Sequence, residues 1–339
     1  MKKELKLVLW FVCLSFLFLL ICTAQPEAGS TAKKEILVGT HLPLSGPLAM
    51  VGVEHRWGYD QAVKDANKGG GLFVKEYGKK LPVRITVVDD ETDPGKAAAA
   101  VERLIKRTNV DLLLSGETGP HAVIPGIVTA EKYKRYYHAT TIWIPDFLKY
   151  KPQWSTMYFF DPVVGSATPF EIWNSLPQDQ RPKKPALFLE DTSDGTLMAG
   201  LLTDLGKKYG YDITVKESMG IGAKDFSTQV IKAKSAGADA ILLFANPSET
   251  VTLIRQMKQD NFNVKFFMGW KGTWANEFYK ALGKDADYVF CDGFWSEDYP
   301  YPGAKELGER YFKEFKKHSV TVGMYYALSQ ILFQAVEKA

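Results

Sequence analysis

The sequence is poor in everything that marks a stapled, metal-loaded or catalytic chain. Of 339 residues only three are cysteine, Cys13, Cys22 and Cys291, and the first two fall in an apolar N-terminal stretch. A chain processed after that stretch keeps one thiol and no internal disulfide, so its stability must come from ordinary cores. Charge of one sign is scarce as well: 42 basic residues face 39 acidic ones, a formal net charge of +3, and the basic residues are scattered. That distribution argues against a nucleic-acid partner. The five histidines, His41, His55, His121, His138 and His318, show no metal-ligand spacing. There is no G-x-S-x-G elbow, Walker loop, H-E-x-x-H pair or dinucleotide fingerprint, and the first predicted strand runs into Gly39-Thr40-His41-Leu42-Pro43. No catalytic residue, metal or cofactor is expected, and the chain does not read as an enzyme.

What is present begins with an export signature. Lys2, Lys3 and Lys6 precede an apolar run from Leu7 to Cys22 broken only by Ser15. The run is shorter than the roughly 20 residues that span a bilayer. Thr23-Ala24-Gln25-Pro26 follow it, so residues 1–24 read as a signal peptide cleaved after Ala24 and directing the chain to the periplasm. A second reading makes Cys22 a lipid-attachment site, against which Ile21 is branched where that signal wants a small residue. A third retains the segment as an anchor.

Beyond Lys34, short apolar runs alternate with longer amphipathic segments, the pattern of a parallel sheet with crossover helices. The class is α/β. Strands are expected at Ile36–Gly39, Val83–Val88 and Leu112–Leu114, then at Ala186–Leu189, Ile213–Val215, Ala240–Phe244, Phe266–Met268 and Tyr288–Cys291. Helical periodicity fills the intervals, and Gly69-Gly70-Gly71 reads as a stop. The stretch Ile142–Tyr158 is aromatic, punctuated by proline and without period, and reads as a rim or crossover between two βα-rich units. Ligands of open α/β sheets bind beyond the carboxyl ends of strands. Four loops there are small and polar: Pro43–Pro47, Gly116–Gly119, His138–Thr141 and Asp191–Gly195. Hydroxyls and free amides before a helix suit a carboxylate, although helix capping alone also accounts for Thr118 and Ser193. His41 and His138 stand out because each follows a predicted strand end.

These residues carry a resemblance. Leu42-Pro43-Leu44-Ser45-Gly46-Pro47, Gly58 through Ala62-Val63, Asp89-Asp90-Glu91-Thr92-Asp93-Pro94-Gly95-Lys96-Ala97, Lys224-Asp225-Phe226-Ser227 and Tyr325-Tyr326-Ala327-Leu328 occur in an order that resembles the leucine/isoleucine/valine-binding family of ABC-transporter solute receptors. The resemblance implies a type I periplasmic-binding fold of two Rossmann-like lobes joined by crossover hinges, residues 35–160 with 295–339 forming one and 161–294 the other. It also implies a small carboxylate ligand held between the lobes and delivered to ABC permease subunits. A receptor feeding a signalling partner, or an exported enzyme, are the alternatives.

By the same resemblance, Thr118, Ala139 and Thr141 meet the ligand from the first lobe. Asp194 and Asn246 stand where the family has aromatic side chains, and Val51 where it commonly has another. Lys271 stands where amino-acid binders carry the acid that neutralises the ligand's ammonium. Either another acid, Asp194 being the nearest candidate, takes over that ammonium, or the ligand has none and Lys271 pairs with an anionic group; a solvent-exposed Lys271 is the third reading. Family members continue past the helix matched by Gln330–Lys338, so the last part of the fold is expected to be missing.

Overall fold

The computed structural model describes residues 33–116 and 119–339; the signal-peptide reading of residues 1–24, with Cys22, and the loop residue Thr118 lie outside them. Strand β1 (Ile36–Leu42) opens the fold with every residue buried. Helix α1 (Ala49–Lys68), a short antiparallel hairpin β2 (Leu72–Val74) and β3 (Lys79–Leu81), and β4 (Val83–Asp89) follow. Then come α2 (Pro94–Lys106), β5 (Leu112–Leu114), α3 (Pro120–Lys132), β6 (Tyr137–Ala139), α4 (Ile144–Lys149) and β7 (Ser155–Met157). The five long-range strands pair in parallel in the order β4-β1-β5-β6-β7, with Val38 in register with Ile85 on one side and Leu112 on the other.

A second parallel sheet follows. Its elements are α5 (Pro162–Ser175), β8 (Pro185–Glu190), α6 (Ser193–Tyr209), β9 (Val215–Met219), α7 (Ser227–Ser235), β10 (Ala240–Phe244), α8 (Pro247–Gln259), β11 (Phe266–Gly269), α9 (Asn276–Leu282) and β12 (Val289–Cys291). The order is β12-β11-β10-β8-β9, and Ala240 sits between Pro185 and Phe266. Helices α10 (Ala304–Phe315) and α11 (Val322–Lys338) complete the described chain.

Both sheets are covered on both faces, which is why β10 reads Ala-Ile-Leu-Leu-Phe without polar alternation. In the first lobe, Val51, Tyr59 and Ala62 of α1 share a core with Tyr325, Leu328 and Leu332 of α11, while Val101, Leu104, Val123 and Ile127 of α2 and α3 fill the other face. Gly58 lets α1 and α11 touch: a Cβ there would lie 2.7 Å from that of Tyr325. In the second lobe, Phe170, Trp173, Met198 and Leu202 cover one face and Val230, Leu253 and Phe278 the other. Pro94, Pro120, Pro162 and Pro247 occupy first helical positions, where a missing N–H costs nothing.

The chain passes between lobes after β7 and returns after β12. Phe159 and Phe160 on the outgoing segment pack against Phe294 on the returning one, with ring centroids 5.6 and 5.0 Å away.

Several elements differ from the expectation. Ile142–Tyr158 holds α4 and β7; six- and three-residue elements are too short to display a period. The strand expected at Ile213–Val215 is β9, displaced to Val215–Met219. As the sheet's edge strand it alternates exposed and half-buried residues, so no apolar run marks it. His41 and His138 lie inside β1 and β6 and are buried.

Candidate functional site

The carboxyl ends of the two sheets face each other across a cavity. Leu48, Val51, Gly119, Thr141 and Trp143 line it from the first lobe, Asp194, Phe244, Lys271 and Trp274 from the second, and Phe159 from the outgoing crossover. The cavity measures about 30 Å³, the room of about two water molecules. Of the residues expected from sequence, Thr141, Asp194 and Lys271 stand in this wall together with Val51. Ala139, at the end of β6, and Asn246, capping α8, are buried outside it. Thr118 lies outside the described residues.

On the first-lobe side, Gly119 precedes α3 with φ 75°, and its carbonyl accepts from Ala122 N at 3.1 Å and Val123 N at 3.0 Å, closing the helix's first turn behind Pro120. Thr141 has φ 53°, costly for a β-branched residue, and its Oγ1 is buried without a hydrogen-bond partner among the described residues. On the second-lobe side, Trp143 reaches across and its Nε1 donates to Asp194 Oδ1 at 2.6 Å. Lys271 Nζ donates to Glu190 Oε1 at 2.7 Å and lies 4.9 Å over the Phe244 ring. Glu190, at the end of β8, also accepts from Thr192 Oγ1, while its Oε2 is buried without a partner among the described residues.

A family model described as periplasmic binding protein matches residues 35–339. The chain belongs to the periplasmic binding proteins. A Leu/Ile/Val-binding protein homolog of Brucella melitensis is 26% identical over 337 residues, spanning 95% of this chain and 82% of the relative. Among solved structures, the branched-chain amino acid transporter substrate-binding protein of Streptococcus pneumoniae, in complex with isoleucine, superposes with a TM-score of 0.77 at 20% identity, over 90% of this chain and 85% of that one. An ABC-transporter solute-binding protein of Rhodopseudomonas palustris, in complex with 3,4-dihydroxybenzoic acid, gives 0.70 at 18% identity, over 90% and 81%. Membership implies an extracytoplasmic location.

In this periplasmic binding protein the cleft's charges are arranged by burial. Asp194 sits in the first turn of α6, where a helix dipole favours an anion. Loss of water nevertheless pushes its carboxyl up to about 6, against the pull of the Lys271 ammonium and the Trp143 bond and with the push of Glu190. Burial, and then Lys271, lower the His121 imidazole below its usual range. Lys271 is not solvent-exposed, as one of the sequence readings had it: its side chain is 10% exposed, and Glu190 meets it. Glu190 was missed because its partner lies 81 residues along the chain, and nothing local marks the end of β8 as special.

Another buried trio is structural. His41 bonds Asp90 through Nδ1 at 2.7 Å and Tyr137 through Nε2 at 2.6 Å. All three are fully buried and tie β1, β6 and the loop after β4 together.

Proposed function

We propose that the protein is an extracytoplasmic receptor of an ABC importer that binds a small amino acid with an apolar side chain between its lobes and hands it to a membrane permease. The division of polar groups across the cleft carries this reading. The first lobe offers the Thr141 hydroxyl, buried without a partner among the described residues, as a donor that suits a carboxylate. The second offers acid: Asp194 faces the cavity and Lys271 is neutralised by Glu190, which suits an ammonium. Leu48, Val51, Phe159, Phe244 and Trp274 leave the remaining surface apolar. Matched partners satisfy the groups that burial would otherwise penalise. The relatives named for leucine, isoleucine and valine agree with it.

A thermal-shift screen of the purified protein tests the reading, with apolar amino acids, benzoate-type acids and dicarboxylates as probes. A ligand at one hundred times its dissociation constant adds about 2.7 kcal/mol, several degrees in this size of chain. Stabilisation by zwitterionic amino acids is expected. Stabilisation by ammonium-free acids alone, the kind of ligand held by the Rhodopseudomonas protein, would replace this reading with a carboxylic-acid receptor.

A further inference from the structure

The amino-acid reading meets one obstacle, a lysine in the wall of the cleft, and the structure supplies its counterweight. Lys271 Nζ is held between the Glu190 carboxylate and the Phe244 ring, and neither charged side chain is more than 10% exposed. Thr192 Oγ1 donates to the same Glu190 oxygen at 2.8 Å, and Gly195 packs so tightly on the Glu190 carbonyl that a Cβ would lie 1.8 Å from its oxygen. The turn that carries Glu190 is therefore fixed, and the same turn presents Asp194 to the cavity. The pair is not saturated: Glu190 Oε2 is buried with no partner among the described residues. An ion pair with an orphaned oxygen is a poor stabilising device, because burial penalises that oxygen without return. His121, on α3 of the first lobe, is near enough to feel both members of the pair.

We propose that Glu190 is a specificity-determining residue: by cancelling Lys271 it leaves Asp194 as the unbalanced charge of the cleft, and so selects ligands that carry an ammonium over their ammonium-free counterparts. The inference rests on the amino-acid reading above. Glu190 acts through Lys271 and positions it; contact with the ligand is not required. Without Glu190, Lys271 faces the cleft as a bare cation that repels an ammonium and attracts a second carboxylate, so selectivity inverts while the apolar wall is unchanged.

The test compares L-leucine with 4-methylpentanoate, and L-phenylalanine with 3-phenylpropanoate, by calorimetric titration of the whole protein. Wild-type protein is expected to prefer the amino acid in each pair. Glu190→Gln should reduce that preference roughly tenfold or more, a typical scale for an unbalanced charge in a closed site, and the double variant Glu190→Gln/Lys271→Met should restore it. A merely structural role for the pair predicts no such reversal. If Glu190→Gln does not fold, Lys271→Met alone decides: freeing Glu190 should raise the amino-acid preference, and an unchanged preference overturns the proposal. A wild-type preference for amino acids that survives in Glu190→Gln overturns the role of Glu190 alone. A wild-type preference for the deaminated acids overturns the amino-acid reading, and this inference with it.

Discussion

Asp194 is pulled between stability and binding. Its folded-state carboxyl is raised from 3.8 to about 6 by burial, so the native protein holds that proton more tightly than the unfolded chain does. The stability linked to this group is fully present below the unfolded value and is lost as pH rises through about 6. The shift corresponds to roughly 3 kcal/mol at neutral pH. Asn at this position keeps an oxygen for the Trp143 Nε1 bond but has no charge to bury. Asp194→Asn should therefore be more stable than wild type by up to that amount above pH 7 and no more stable at pH 3, as read by urea unfolding at the two values. An equal gain at both would mean that burial does not penalise the carboxylate. Under the proposed function the same charge is what an ammonium pairs with. Wild-type affinity for L-leucine should rise with pH up to about 6 and level off above it, whereas the Asn variant should bind weakly at every pH.

At the scale of elements, the second contact between lobes joins α1 to α9. The Glu54 carboxylate, fully buried, accepts from Asn276 N at 2.9 Å and Asn276 Nδ2 at 3.3 Å; Ser319 and Thr321 hydroxyls also donate to it. Asn276 opens α9, a seven-residue helix too short to hold itself, so a side chain from the first lobe satisfies an open N–H of a second-lobe helix. Asn276→Ala removes the 3.3 Å side-chain contact and leaves Glu54 the backbone N–H of residue 276 and its hydroxyl partners. A single hydrogen bond contributes a net of about 0.5–1.5 kcal/mol, so affinity for a cleft ligand should fall severalfold by calorimetry while the circular dichroism spectrum stays that of wild type. Unchanged affinity would mean that this contact is kept when the lobes part. Such pairs mark the limit of what the sequence displays. Strands β5 and β10 were legible to the residue because buried parallel strands are unbroken apolar runs, and Pro94-Gly95 announced α2. The pairings of Glu54 with Asn276 and Glu190 with Lys271 were not legible: the first depends on how two lobes meet, the second on which strand ends the second sheet brings together. The left-handed backbone of Thr141 has no sequence signal either, since nothing but tertiary constraint puts a threonine there.

At the scale of the whole molecule, a cavity of about 30 Å³ cannot admit an amino acid, so loading requires the lobes to part about the two crossovers. The aromatic contact of Phe159 and Phe160 with Phe294 keeps those crossovers together as the hinge. Closure is then held by few polar contacts, among them the Trp143–Asp194 bond. The apparent affinity of a receptor that must close is its intrinsic affinity scaled by the fraction able to close, so weakening that bond weakens binding without touching ligand. Trp143→Phe keeps the ring among Phe159 and Phe160 but removes the donor. In small-angle scattering, the wild-type radius of gyration should fall on adding saturating ligand. The variant should reach the same compact value only at several-fold higher ligand concentration. Identical scattering with and without bound ligand would mean that entry needs no lobe motion, and the hinge reading would have to give way to a side-chain gate. A variant that binds weakly yet compacts at the same fractional saturation as wild type would place Trp143 in direct ligand contact instead of in closure.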